Sequence, residues 1–205
     1  MITINLFPTP IYCNNIKLKK EYKDILISEN YKRFEINNGY VTTNKYVLNN
    51  EKLSSLKKEI FNNLNEYLFN KLKVKKNTKF KMLNSWCIKH STNDWSQAHY
   101  HENSFISGIL YLKNYEDSGD LVFHKEGIPN IFSNCIKIEF DEFIIDNSET
   151  FFIKPKEGDL ILFPSHLKHS VTKNLNKNDR YCCAFNFFPN GKFGNIDNSN
   201  FVEVI

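Results

Sequence analysis

The stretch His99-Tyr100-His101 sets two imidazoles at i and i+2, and seventy residues on, "PSHLKHSV" brings His166 and His169. Side chains two apart on a strand, or at its mouth, project to the same side, and a first-row metal needs imidazoles that converge in space. HxH alone fits two readings, a ligand pair or polar loop histidines that hydrogen-bond locally. A second charged residue follows. After His169 the polar run Asn174 to Asp179 turns the chain back, and Arg180 opens the returning strand eleven positions later. Such a hairpin faces a histidine and an arginine into one interior, where an unpaired guanidinium is very costly. Its partner is either one of the 23 acidic residues or a small dicarboxylate gripped bidentately.

These residues need a scaffold. After Lys75 the chain reads as short β-rich runs broken by turn residues, with strands expected at 80–89, 105–113, 121–124, 135–140, 150–153, 159–163, 170–173 and 181–188. About eight closely spaced strands predict a mainly β barrel or jelly-roll sandwich. Before them, Leu53, Leu56, Ile60, Leu64 and Leu68 recur at helical spacing, which predicts an amphipathic helix from Glu51 to about Leu72 packed on one face. The opening "TINLFPTPIYCNNI", with two prolines, suits an edge strand. The polar "NGKFGNIDNSN" reads as a mobile tail, and the segment 125–147 as a lid or a plain insertion.

Composition narrows the class. Hydrophobic residues at 41% with 18 Phe and 10 Tyr describe a globular, sheet-favouring chain of one domain. A charge of +4, with lysines scattered or in short solvated runs such as "KLKVKKN", offers no nucleic-acid footprint. The five cysteines show no CxxC and no secretory signal precedes them, so a reducing, cytoplasmic location is expected. Cys182 and Cys183 read as small apolar packing groups, Trp86 and Trp95 as core or rim, and His90 and His124 as surface or strand-end residues.

Taken together, HxH, an apolar strand ending in Tyr-Leu, "SGDLVF", "GDLILFPSHLKHSV" and a following "R…FNF" resemble the 2-oxoglutarate- and Fe(II)-dependent oxygenases of bacteria and phages, within the prolyl-hydroxylase-like superfamily. "LFPTPIY" and "NSW" at 84–86 match as well. The resemblance implies one domain over 1–205, with an N-terminal strand and helix (1–75) supporting a double-stranded β-helix core (76–190). It implies Fe(II) held by His99, His101 and His169, and 2-oxoglutarate meeting Arg180, with Tyr111 and Asn186 in contact with the same pocket. Dioxygen would be the co-substrate, and a small molecule or protein side chain would be hydroxylated with release of succinate and CO2. His166 stands outside this ligand set. The wider superfamily places a carboxylate where His101 stands, so Glu102 is the alternative third ligand, although three residues after His99 it would face away on a regular strand. A cupin-like metal protein without 2-oxoglutarate and a metal-free jelly-roll module are the rival readings.

Overall fold

The computed structural model describes residues 6–34, 38–126, 139–197 and 199–205. Its strands are β1 (Tyr12–Asn15), β2 (Tyr31–Phe34), β3 (Gly39–Thr42), β4 (Lys79–His90), β5 (Ser96–His99), β6 (Ile106–Lys113), β7 (Leu121–His124), β8 (Thr150–Ile153), β9 (Asp159–Pro164), β10 (His169–Val171), β11 (Arg180–Phe193) and β12 (Val202–Val204). Two helices, α1 (Lys20–Ile27) and α2 (Ser54–Asn65), precede β4, and a π-type turn (Glu66–Lys71) extends α2. One sheet runs β1-β9-β6-β11-β4-β3-β2 with β12 on β11, and a smaller one runs β5-β10-β7-β8. Every ladder is antiparallel. This is the expected mainly β jelly roll with a helical support.

Period-two alternation explains why β6 and β9 read as unbroken apolar runs: both of their faces are buried. Leu110, Leu112, Leu160 and Leu162 pack in one cluster with Leu53, Leu56, Ile60, Leu64 and Leu68, the stripe that defined the helix. Their neighbours Ile109, Tyr111, Ile161 and Phe163 belong to a second cluster with Leu121, Phe123 and Val171 from the small sheet, which fills the barrel interior. Adjacent Cys182 and Cys183 divide the same way, one to each cluster. In mid-sheet, Gly108 lies opposite Phe185, and an added Cβ would fall 2.2 Å from that ring. Asn63 of α2 accepts hydrogen bonds from Tyr12 Oη at 2.9 Å and Asn14 Nδ2 at 2.7 Å, which ties the proline-flanked edge strand to the helix.

Several elements differ from expectation. Helix α1 buries only Tyr22 and Leu26, too few apolar residues to announce a helix among lysines. Strands β2, β3 and β5 are four residues each and largely polar or aromatic. The strand expected at 181–188 runs from Arg180 to Phe193 and pairs with β12, so 191–193 form a hairpin arm rather than a tail. Most of the strand expected at 135–140, and much of the segment 125–147, lies outside the described residues; 139–140 are not in a strand.

Candidate metal centre

His169 opens β10 directly opposite His99 at the end of β5 and beside Phe123 of β7. His101 follows in a turn. One nitrogen from each of the three lies within 4.8 Å of the others, and among the described residues this is the one His/Cys/Asp/Glu group found to converge so. Ring centroids are 4.4 Å apart for His99 and His169, and 5.1 Å for His101 and His169. The Phe163 ring meets His169 edge-on at 4.8 Å.

Two of the three rings are aimed by their own hydrogen bonds. His99 Nδ1 bonds the Gln97 carbonyl at 2.8 Å and His169 Nδ1 the Leu167 carbonyl at 3.0 Å. Each Nδ1–H donates there, which leaves Nε2 as the lone-pair nitrogen facing the cluster. Burial lowers His169 to about 3, with His99 adding to the effect, and lowers His101 to about 4 for the same two reasons. Both are therefore neutral at pH 7, the state a metal ligand needs. A borderline divalent ion suits imidazole donors of this kind. Glu102 sits in the turn after β5, is exposed, and does not join the cluster.

The cluster opens into a recess of about 560 Å³ lined by Asn84, Trp86, His99, Tyr100, His101, Glu102 and Asn186 among others. Trp86 packs on His101 with centroids 5.6 Å apart. His166 is exposed and outside the cluster.

Arg180 lies at the other end of the buried stretch of β11, 1% exposed. Its Nη1 donates to the carbonyls of Ser118 at 3.4 Å and Gly119 at 3.3 Å, and Nη2 donates to Nδ1 of His90. Its Nε has no partner, and no carboxylate among the described residues is within ion-pair distance. The salt-bridge reading of Arg180 is thus not what the fold contains. A buried guanidinium with an orphaned donor and no counter-ion is what an exogenous carboxylate would satisfy. The Tyr111 ring stands 5.9 Å from the Arg180 guanidinium, and burial raises its phenol well above the usual range, so it stays protonated and able to donate.

His90 requires a correction. It is 1% exposed, not a surface residue, and it pairs with Arg180 in the ladder. Burial, then Arg180 and Arg33, push it down to about 2. Neutral His90 accepts from Arg180 at Nδ1 and bonds Ser96 Oγ through Nε2 at 3.1 Å. Its place at a strand end was visible, but nothing in the sequence marked Arg180 as its cross-strand partner. His124, half-buried at the end of β7, bonds Ser170 Oγ at 2.8 Å as an ordinary strand-end residue.

A family profile described as "Putative 2OG-Fe(II) oxygenase" matches residues 84–186, half of the chain and the part that holds all of these side chains. The chain belongs to this family. It is therefore a 2-oxoglutarate- and Fe(II)-dependent oxygenase, an oxidoreductase that takes dioxygen as co-substrate, and the cupin-like and metal-free readings fall away. Solved structures agree on the fold. A 2OG-Fe(II) oxygenase family oxidoreductase from Burkholderia pseudomallei superposes with a TM-score of 0.57 at 10% identity, over 82% of this chain and 75% of that one. HygX from Streptomyces hygroscopicus, with nickel and 2-oxoglutarate bound, gives 0.56 at 10% identity over 87% and 82%. A viral collagen prolyl hydroxylase from Paramecium bursaria Chlorella virus-1 gives 0.53 at 14% identity over 86% and 94%. No curated protein matches the sequence. Among the described residues, no helix is long and apolar enough to cross a membrane.

Proposed function

We propose that the oxygenase hydroxylates a small molecule or a protein side chain, with Fe(II) held by His99, His101 and His169. The observation that carries this reading is the convergence of three imidazole nitrogens within 4.8 Å, two of them aimed by backbone carbonyls, beside an open recess. When bound, iron and 2-oxoglutarate supply dioxygen activation, with succinate and CO2 released.

The chain's own residues bind, orient and exclude water. Arg180 takes the far carboxylate of 2-oxoglutarate through donors now spent on carbonyls or unpaired, with Tyr111 beside it. His90 stays neutral so that its lone pair can keep the guanidinium in place. Phe163 and Phe123 wall the metal side of the interior against water. Asn186 and Asn84 present amides to the recess, and Trp86 and Tyr100 give it an aromatic rim. Substrate enters there, and its reacting bond is set against the histidine cluster by that wall. The chain acts as a single oxygenase domain in the cytoplasm, with 1–75 supporting the core of 76–190.

Anaerobic titration of the apo-protein with Fe(II), then with 2-oxoglutarate, tests this reading. A weak visible charge-transfer band that needs both additions, and is lost in His169→Ala and Arg180→Ala, is expected. Iron binding without any band on adding 2-oxoglutarate would reject the Arg180 assignment, and no iron binding would reject the histidine set.

A further inference from the structure

The three imidazoles are not held alike. His99 and His169 each donate Nδ1–H to a carbonyl two residues back, whereas no hydrogen bond to a carbonyl or carboxylate aims the ring of His101 among the described residues; its one bond is Nε2 to His169 Nε2 at 3.3 Å. Metal-binding histidines almost always have such an orienting partner. For His101 the aim comes from the backbone of its turn, together with the Trp86 ring packed on it with centroids 5.6 Å apart.

That turn is closed by a single residue. Ser165 accepts from the His101 N–H at 3.0 Å and donates its own N–H to the Phe105 carbonyl at 3.0 Å, so it brackets 101–105 at both ends. Within the bracket Asn103 takes the left-handed conformation, φ 57°, and Ser104 Oγ donates to the His101 carbonyl at 3.1 Å. The Ser165 side chain is itself anchored. Its hydroxyl meets Ser107 Oγ at 2.8 Å, Ser107 Oγ donates to Asn186 Oδ1 at 2.8 Å, and Asn186 Nδ2 donates to Asn84 Oδ1 at 3.0 Å. Because the one proton of Ser107 goes to Asn186, Ser165 must be the donor to Ser107. The direction of the whole chain follows.

The row is built across the sheet. Asn84, Asn186 and Ser107 are direct ladder partners on β4, β11 and β6, and Ser107, Ser165 and Asn186 are all buried. A buried hydroxyl keeps its place in an apolar barrel only when it is bonded, so each member of the row fixes the next. The far end reaches the recess, where Asn84 and Asn186 form part of the wall.

We infer that Ser107 and Ser165 are positioning residues for the metal centre: through Asn186 they hold the bracket that aims His101, and they join the recess wall to that ligand. The inference rests on the histidine reading of the metal site.

The test is Fe(II) affinity, measured anaerobically by chelator competition, set beside the thermal midpoint of the apo-protein. Ser107→Ala orphans the Ser165 hydroxyl and Asn186 Oδ1 together. It should weaken Fe(II) binding by about 10- to 100-fold, the range that supporting contacts of metal ligands cost, and alter the visible Co(II) spectrum. Ser107→Thr, which keeps the hydroxyl, should recover most of the affinity. Leu64→Ala, in the helix layer, serves as the opposite control, lowering the midpoint while the folded protein binds Fe(II) as the parent does. If Ser107→Ala does not fold, Ser165→Ala breaks the same contact from its other end and carries the same expectation. A parent protein that binds Fe(II), with serine variants that bind it equally well and give the same Co(II) spectrum, would overturn this inference alone. A parent that binds no iron would overturn the histidine set and this inference with it.

Discussion

The histidine cluster and the Arg180 end of the barrel both bury histidine, and they use it in opposite ways. At the mouth three imidazoles turn their nitrogens toward one another, and no side-chain donor satisfies them all. At the Arg180 end His90 turns Nδ1 to a guanidinium and accepts a hydrogen bond from it. Burial is the largest cause of the lowered pKa of His90, His101 and His169. The difference lies in what faces the lone pair, other imidazole nitrogens at one end and a fixed cation at the other. Desolvation therefore makes an imidazole neutral without deciding its job, and the neighbours do the deciding.

Removing one of the converging nitrogens should separate the two ends most sharply. His169→Ala is expected to weaken Fe(II) binding by more than about 100-fold, beyond the cost of losing a supporting contact, and to reduce turnover to background; chelator competition and succinate release report it. Next comes the Arg180 end. Arg180→Ala should leave Fe(II) affinity near that of the parent and raise the 2-oxoglutarate dissociation constant by about thirty-fold or more, corresponding to the roughly 2–5 kcal/mol lost when one partner of a buried charged pair is truncated. If Arg180→Ala instead abolished iron binding, the two ends would not be separate sites.

Acid should act on both ends together. With folded values of about 2, 4 and 3 for His90, His101 and His169, below the ordinary 6.5, the unfolded chain takes up protons that the native apo-protein refuses. Their contribution to stability is complete above pH 6.5 and is lost as pH falls from there toward about 4, where His101 begins to protonate in the folded state. The slope approaches about 1.4 kcal/mol per pH unit for each such histidine. Denaturant midpoints measured from pH 7 to 5 check it, and His90→Gln should make the loss shallower by the share of one group. The smallest effect belongs to Glu102. Since its carboxylate is exposed and outside the cluster, Glu102→Gln should change Fe(II) affinity by less than about three-fold; a larger loss would make it a ligand after all.

How much of this was legible depended on whether a residue's role is local. The HxH pair and the distal histidine follow from period two and a turn-bounded strand, both written in consecutive residues, whereas the hairpin expected to join His169 to Arg180 does not form, because β10 pairs within the small sheet and β11 within the large one. The helix stripe from Leu53 to Leu68 was equally local. What stayed hidden was lateral. His90 gains its meaning from Arg180, ninety positions away, and Ser107 from Ser165 and Asn186. A lone serine in "FISGILYL" looks like filler in an apolar strand, because sheet register is not visible along one strand. Short β5 was missed for a different reason: "SQAH" carries no β-branched residue and no apolar alternation, and the ladder to β10 makes it a strand despite its composition.

That ladder also bears on how the molecule holds together. β5 is a four-residue edge strand joined to β10 at only two register positions with an irregularity between them, His99 opposite His169 and Ser96 opposite Val171. On the histidine reading of the site, a metal would lie across the seam of the small sheet that has the fewest register positions, with His99 and His101 on the β5 side and His169 on β10. Any ion that binds the folded chain and not the unfolded one adds stability in proportion to the logarithm of its free concentration, about 2.7 kcal/mol at a hundred times the dissociation constant. Iron supply would thus set how often that edge frays, and cells short of iron would hold a protein whose mouth opens first.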